Sequence, residues 1–273
     1  MFVSEKPSTS ALLSAGRHLF LPNGHVSEKR DLKYGSRKRH KLDIYEPNEI
    51  NEETELIFFI HGGGWASGSK DLHTFIGRSW ASENFIVAIP NYRLVPDVYY
   101  PKQLEDVVLA LFWLQDSYNG YNGSLYLAGH SAGAHMASLI GFSEKWRKEA
   151  GLTLDQVSGF VLLAGVYQFY PYDKADPRVK RFVGDEKLWQ EAQPINYIGG
   201  NLPPVFLAHG TEDREVLPKQ SIKLREKLAK LDVANELLVE DGVGHLELLL
   251  ETSDENSEFW VRLQRFFDRV PVV

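Results

Sequence analysis

Leu125-Tyr126-Leu127-Ala128-Gly129-His130-Ser131-Ala132-Gly133-Ala134-His135-Met136-Ala137 is the stretch on which the fold turns. Its first four residues read as a buried strand. The residues from Ser131 to Trp146, small and apolar at first, read as a helix packed tightly on a sheet. Between them lies a Gly-x-Ser-x-Gly turn. A strand that reverses this sharply into a helix crowds its own backbone, and glycines two before and two after the serine relieve the crowding. The serine is then held proud of the sheet, at the positive end of a helix. The five-residue pattern alone arises often by chance. Its place between a strand and a helix makes an incidental serine in a tight turn the weaker reading.

Similar apolar runs recur on both sides. Leu56–Ile60, Phe85–Ile89, Phe160–Leu163, Val205–Ala208 and Glu236–Val239 are short and rich in branched or aromatic residues, as suits strands covered on both faces. Helical stripes alternate with them. Pro101 opens one at its first position, with Glu105 and Asp106 near its positive end and Leu104, Val107, Val108 and Leu111 along one side. Leu224, Leu228 and Leu231 mark another, and Trp260, Leu263, Phe267 and Val270 the last. This alternation predicts an α/β fold over residues 1–273 as a single domain, with a mostly parallel central sheet and helices on both faces. Tyr34 to Tyr45 is expected to add an antiparallel hairpin at one edge. Residues 166–204 break the rhythm. They are too long for a plain connection and carry Tyr167, Phe169, Tyr170, Tyr172, Phe182, Trp189 and Tyr197. They read as a small cap inserted over the carboxyl edge of the sheet, where open α/β sheets bind ligands.

Composition narrows the chemistry. The absence of cysteine removes disulfides, thiolate metal sites and a cysteine nucleophile, and fits a reducing compartment. A net charge of −7 argues against nucleic acid as the main partner. The basic cluster Arg37-Lys38-Arg39-His40-Lys41 reads as the solvated turn of the hairpin rather than a phosphate-binding patch. No apolar run approaches the ~20 residues that cross a bilayer, and residues 1–10 lack the pattern of a secretory leader. The expectation is a cytoplasmic protein acting on a small molecule, with neither membrane nor nucleic acid as partner and a homodimer as the open association.

His61-Gly62-Gly63-Gly64-Trp65 directly follows the Leu56–Ile60 strand. Acyl transfer builds negative charge on a carbonyl oxygen, and free backbone N–H groups in a glycine run can meet it. Gly63 and Gly64, with Ala132 after the serine, are the expected oxyanion donors. A phosphate loop fits less well, because neither a following Lys-Ser/Thr pair nor Gly-x-Gly-x-x-Gly spacing is present. The serine needs a base. Among nine histidines, His245 stands on the glycine-rich loop Gly242-Val243-Gly244-His245-Leu246 after the last strand. His209 and His130 have structural explanations, His18, His25, His40 and His73 read as surface residues, and a metal pair of His130 with His135 lacks further ligands. Asp213, just past the Val205–Ala208 strand, is the carboxylate expected to orient His245, with Glu212 its rival and Asp185 and Asp241 weaker. The order Ser131, Asp213, His245 suits a strand-end triad.

Together these segments resemble the α/β-hydrolase superfamily, and within it the hormone-sensitive-lipase-like carboxylesterases and the kynurenine formamidases. His61–Trp65 is similar to the oxyanion loop of that group. Asn91-Tyr92-Arg93-Leu94-Val95-Pro96, with Leu104-Glu105-Asp106 beyond it, resembles its Tyr-Arg-Leu-Ala-Pro block. The likeness spans about Lys41 to Phe267. Lipase-like members carry Asp where His130 stands. Gly-His-Ser-Ala-Gly, the His-Gly-Gly-x-Trp loop and Gly165-Val166-Tyr167 are similar to kynurenine formamidases and small carboxylesterases. The resemblance implies an α/β-hydrolase fold, no metal and no cofactor, and a serine hydrolase acting on carboxylic esters of small or aromatic substrates. Trp65, His130 and Tyr167 are the expected substrate contacts. Arylformamide hydrolysis is the nearest alternative. A non-catalytic binding protein on this scaffold is a third, as in gibberellin receptors, which resemble the lipase-like group without its catalytic histidine; here serine, acid and histidine all remain.

Overall fold

Eight strands form one sheet in the order β1-β2-β4-β3-β5-β6-β7-β8. They are β1 (Val26–Lys33), β2 (Lys41–Pro47), β3 (Leu56–Ile60), β4 (Ile86–Pro90), β5 (Leu125–His130), β6 (Val157–Leu163), β7 (Val205–Gly210) and β8 (Asn235–Glu240). This computed structural model describes residues 12–13, 15–16, 26–120, 123–169, 176–254 and 256–269. The expectations for His18, His25, Tyr170, Tyr172 and Val270 fall outside the described residues. β1 and β2 pair antiparallel, as do β2 and β4, and every pairing from β4 through β8 is parallel. This is the sheet of an α/β-hydrolase fold.

The apolar runs are continuous because the central strands are covered twice. Leu56, Phe58 and Ile60 of β3 face one core while Ile57 and Phe59 face the other. β5 divides in the same way, Leu125 and Leu127 against Tyr126 and Ala128. Since successive strand residues point to opposite faces, only an unbroken apolar run satisfies both. On one face lie α2 (Lys102–Ser117), α3 (Ala132–Phe142) and α6 (Lys219–Lys230), through residues such as Leu104, Met136 and Leu224. On the other lie α1 (Thr74–Ser82), α7 (Glu247–Glu251) and α8 (Glu258–Arg269), through Trp80, Leu248 and Trp260. Among the described residues, no helix is long and apolar enough to cross a membrane.

Several local expectations need correction. The hairpin begins earlier than Tyr34: residues 34–40 are the turn, and β1 precedes them. β8 lies at the sheet edge and is only partly covered, with Val239 exposed. The helix expected from Ser131 to Trp146 breaks at Ser143, after which α4 (Glu144–Glu149) begins. Pro101 caps α2 from just outside it, and Leu231 lies one residue past α6. Between β6 and β7 the described residues form α5 (Pro177–Val183) and short 3₁₀ turns at Glu186–Leu188 and Pro194–Tyr197. α5 starts where its sequence says it should. Asp176 accepts a hydrogen bond from the Arg178 N–H at 2.7 Å, and Pro177 fills the first helical position.

Candidate active site

Ser131 sits between β5 and α3 with φ 55° and ψ −120°, a left-handed conformation that costs a non-glycine residue about 1–3 kcal/mol. Its neighbours hold it there. The Ser131 N–H donates to the Leu163 carbonyl of the adjacent strand at 2.8 Å. The flanking glycines are required by close approach. A Cβ on Gly129 would stand 2.5 Å from the Gly133 carbonyl carbon, and one on Gly133 would stand 1.9 Å from the Ile60 carbonyl oxygen. The serine is thereby placed beside the carboxyl end of β3, where the glycine loop begins.

That loop turns through three successive left-handed residues, Gly63, Gly64 and Trp65, at φ 116°, 57° and 57°. The Gly63 carbonyl accepts hydrogen bonds from Ala66 N, Ser67 N and Ser67 Oγ at 3.1, 3.0 and 2.9 Å. A trans peptide points its C=O and N–H in opposite directions. Fixing the Gly63 carbonyl on residues 66–67 therefore aims the Gly64 N–H away from them. Gly64 and Ala132 line one cavity together with Ser131, and Ala132 heads α3, where the first N–H groups have no partner within the helix.

The loop is braced from behind by groups expected at the surface. His61 is fully buried, its ring stacked on Tyr92 at 4.3 Å and on His73 at 5.7 Å. Burial and the neighbouring His73 push the His61 pKa well down, so the ring is neutral at pH 7. The Tyr92 hydroxyl donates to the His61 carbonyl at 3.0 Å. Arg39, in the basic turn, donates from Nε to the Tyr92 carbonyl at 2.6 Å and from Nη2 to the Gly68 carbonyl at 2.9 Å. His40 and His73 are buried as well. His40 Nε2 lies 3.1 Å from Asp106 Oδ1, and burial holds the His40 pKa below its ordinary value. So the basic cluster is only partly solvated, because Arg39 and His40 turn inward.

His245 and Asp213 meet at the next two strand ends. His245 Nδ1 and Asp213 Oδ2 are 2.6 Å apart and both residues are buried. Asp213 Oδ1 accepts from the Glu215 and Val216 N–H groups at 2.9 and 2.8 Å. His209 Nε2 stands 3.1 Å from Asp213 Oδ2 and is tied to the Val216 carbonyl at 2.7 Å. Burial alone would raise the Asp213 pKa. The imidazoles of His209 and His245 and the Val216 N–H outweigh it and hold the carboxyl well below the usual carboxylate range. The rival acids are engaged elsewhere. Glu212 is exposed beside Arg214, Asp185 caps Lys187, and Asp241 accepts from Thr211.

The cavity beside Ser131 measures about 310 Å³. Trp65, Val166, Phe169, Val179, Val216 and Leu217 make its apolar wall, and Gln168, Arg178, Glu215, Lys219 and Lys223 its polar side. Trp65 thus lies where a substrate contact was expected. His130 and Tyr167 do not: both are buried and neither lines this cavity. His130 backs His245 instead, with Nε2 at 2.9 Å from the His245 carbonyl. His135, the other half of the conceivable metal pair, bonds the Ala192 carbonyl at 2.8 Å and its pKa is pushed by burial down to about 4. Among the described residues, no group of three or more potential ligands is arranged to hold a metal.

Sequence reasoning missed three supports of this site. The Asp213 turn carried a local signal, an aspartate whose carboxylate caps the N–H groups two and three residues on. Arg39 and the His130–His245 contact carried none, since their partners lie far along the chain.

Comparison with known proteins agrees with the fold. The chain is 26% identical over 247 residues to a probable isoprenylcysteine alpha-carbonyl methylesterase of Arabidopsis thaliana, covering 82% of this chain and 52% of that protein. It is 29% identical over 141 residues to a kynurenine formamidase of Danio rerio, covering 52% of this chain and 47% of that protein. The chain thus spans about half the length of these curated relatives. Among solved structures, esterase B from Lactobacillus rhamnosis superposes with a TM-score of 0.78 at 21% identity, covering 96% of this chain and 91% of that one. A truncated carbohydrate esterase from gut microbiota gives a TM-score of 0.78 at 19% identity, covering 90% and 97%. The BD-FAE family profile matches residues 42–228, a span that holds the glycine loop, the serine turn and the Asp213 turn, and the chain belongs to that family of α/β-hydrolases.

Proposed function

We propose that the protein is a serine hydrolase that cleaves carboxylic esters of small or aromatic substrates through an acyl-enzyme. One observation carries this reading. A buried Asp213–His245 pair stands at strand ends, its histidine in contact with His130, the residue before a serine held in a strained turn on a cavity wall. In the proposed reaction Ser131 Oγ attacks the substrate carbonyl while His245 takes its proton. Asp213 keeps the His245 proton on Nδ1 and stabilises the imidazolium that forms. The N–H groups of Gly63, Gly64 and Ala132 hold the developing oxyanion, where one such donor contributes about 3–4 kcal/mol. His245 then protonates the leaving alcohol, and a water that it activates releases the acid.

The cavity of about 310 Å³ lies at the lower end of the roughly 300–1,000 Å³ usual for small-molecule sites. That supports a compact substrate. The described part of residues 166–204 serves in this reading as a cap within a single domain, since Val166, Gln168, Phe169, Arg178 and Val179 line the cavity with the serine. Turnover of p-nitrophenyl acetate by the wild type, lost in Ser131→Ala, is the expected result; unchanged turnover would rule the serine out. Labelling of Ser131 by a fluorophosphonate distinguishes an enzyme from a binding protein on the same scaffold.

Arylformamide hydrolysis is the second reading, favoured by the kynurenine formamidase relatives. Ester and formamide pass through the same tetrahedral intermediate, so the same residues would serve. The ratio of kcat/KM on N-formylkynurenine to that on phenyl acetate separates the two.

A further inference from the structure

His130 ends β5 one residue before the nucleophile. Its ring is buried, and its Nε2 lies 2.9 Å from the carbonyl oxygen of His245. A carbonyl only accepts, so Nε2 carries the proton. The two imidazole rings also touch, with centroids 4.6 Å apart at 45°. Burial and the nearby His245 hold the His130 pKa well below its ordinary value, which leaves a neutral ring with a single proton.

His245 follows Gly242, at φ 72°, and lies in a turn that the Leu248 N–H closes on the Gly244 carbonyl at 3.2 Å. Asp213 holds the imidazole through Nδ1. Glu212 N–H reaches the Val243 carbonyl at 3.0 Å, two residues earlier. The carbonyl of His245 itself is held from the strand that carries the serine.

We infer that His130 positions His245 for catalysis: its Nε2–H anchors the His245 carbonyl and its ring backs the imidazole of the base. The inference rests on the proposed function above. It makes His130 a positioning residue rather than a substrate contact, because its side chain is buried and does not line the cavity. As a neutral ring, it also places no opposing charge against the imidazolium that His245 becomes during acyl transfer.

The test compares His130→Gln, His130→Asn and His130→Leu with wild type and Ser131→Ala, on p-nitrophenyl acetate. A Gln amide nitrogen reaches the position of Nε2; an Asn amide reaches only that of Nδ1. The expected order of kcat is wild type, then Gln within severalfold, then Asn and Leu lower by roughly 10- to 100-fold, as for a catalytic group displaced by ~1 Å. KM is expected to stay near wild type, and the rate of fluorophosphonate labelling to fall in parallel with kcat. Thermal melts establish that each variant is folded; should Leu fail to fold, the Gln–Asn comparison decides alone. Equal kcat for Gln and Asn, or a rise in KM at unchanged kcat, overturns the assignment. Ser131→Ala keeps the two ideas apart. If it retains activity the whole serine mechanism falls, whereas if it is dead and the His130 variants behave alike, only the positioning role falls.

Discussion

Asp213 Oδ2 stands 2.6 Å from His245 Nδ1, while Asp213 Oδ1 is held by the N–H groups of Glu215 and Val216. The carboxylate is thus fixed at both oxygens before it orients the imidazole. Asp213→Asn keeps the shape but presents a donor where His245 needs an acceptor, which favours the wrong tautomer. A fall in kcat of about 10⁴-fold on p-nitrophenyl acetate is expected. Glu212→Gln, at the exposed neighbouring acid, is expected to leave kcat near wild type.

The same carboxylate makes a pH prediction. Its folded pKa is depressed, so its stabilising contribution is full above its unfolded value of about 3.9 and is lost as pH falls below that. The gap in Tm between wild type and Asp213→Asn is expected to stay constant from pH 8 to 5 and to narrow below pH 4. Melting curves across that range check it, and a gap already closing at pH 6 would contradict it.

Arg93 and Asp106 form a buried link between the end of β4 and α2. Asp106 accepts from Arg93 N, Nε and Nη2 at 2.9, 2.8 and 2.6 Å and is 2% exposed. Removing one partner of a buried ion pair costs about 3–5 kcal/mol. Since Arg93 is partly open to solvent, the lower end applies. Asp106→Ala is expected to lower Tm clearly in a thermal melt, while the folded fraction keeps most of its kcat.

Arg178 offers the contrast. It joins Asp176 to Glu215 across the cavity, but all three side chains are substantially exposed. Exposed pairs contribute about 0–1 kcal/mol. Arg178→Ala is expected to leave Tm almost unchanged and to alter KM, because it removes part of the cavity lining. A large loss of stability measured by denaturant titration would refute this.

Gly133→Ala tests the serine turn directly. The added methyl would lie 1.9 Å from the Ile60 carbonyl oxygen, which is backbone and cannot yield as a side-chain tip can. Overpacking commonly costs about 1–3 kcal/mol, and rigid backbone places this site at or above that range. Loss of soluble protein, or a markedly lower Tm with no measurable turnover, is the expected outcome.

What the chain reveals by inspection follows from how local the cause is. β3, β5 and β7 were legible because burial on both faces demands unbroken apolar runs. The serine turn was legible because its glycines answer a crowding that arises within five residues. β1 was not, since an edge strand such as Val26-Ser27-Glu28-Lys29-Arg30 meets solvent and shows no apolar pattern. Arg39, His40 and His73 read as surface residues because their type is usually exposed; their partners at Tyr92, Asp106 and Phe59 lie elsewhere in the chain. The likeness of Gly165-Val166-Tyr167 to kynurenine formamidases points Tyr167 at the substrate. Instead it is buried, and its N–H is held by the Gln220 side chain at 3.0 Å.

The stack of Trp65 on Phe182, at 4.3 Å and 15°, joins the glycine loop to α5. His135, from the helix that follows the serine, meets both rings edge-on. The cavity wall and the proposed oxyanion loop therefore share one mechanical part. If the protein acts as proposed, a redesign of α5 to admit a bulkier acid or alcohol will be transmitted through Phe182 and Trp65 to Gly64, and selectivity will be hard to alter without also retuning speed.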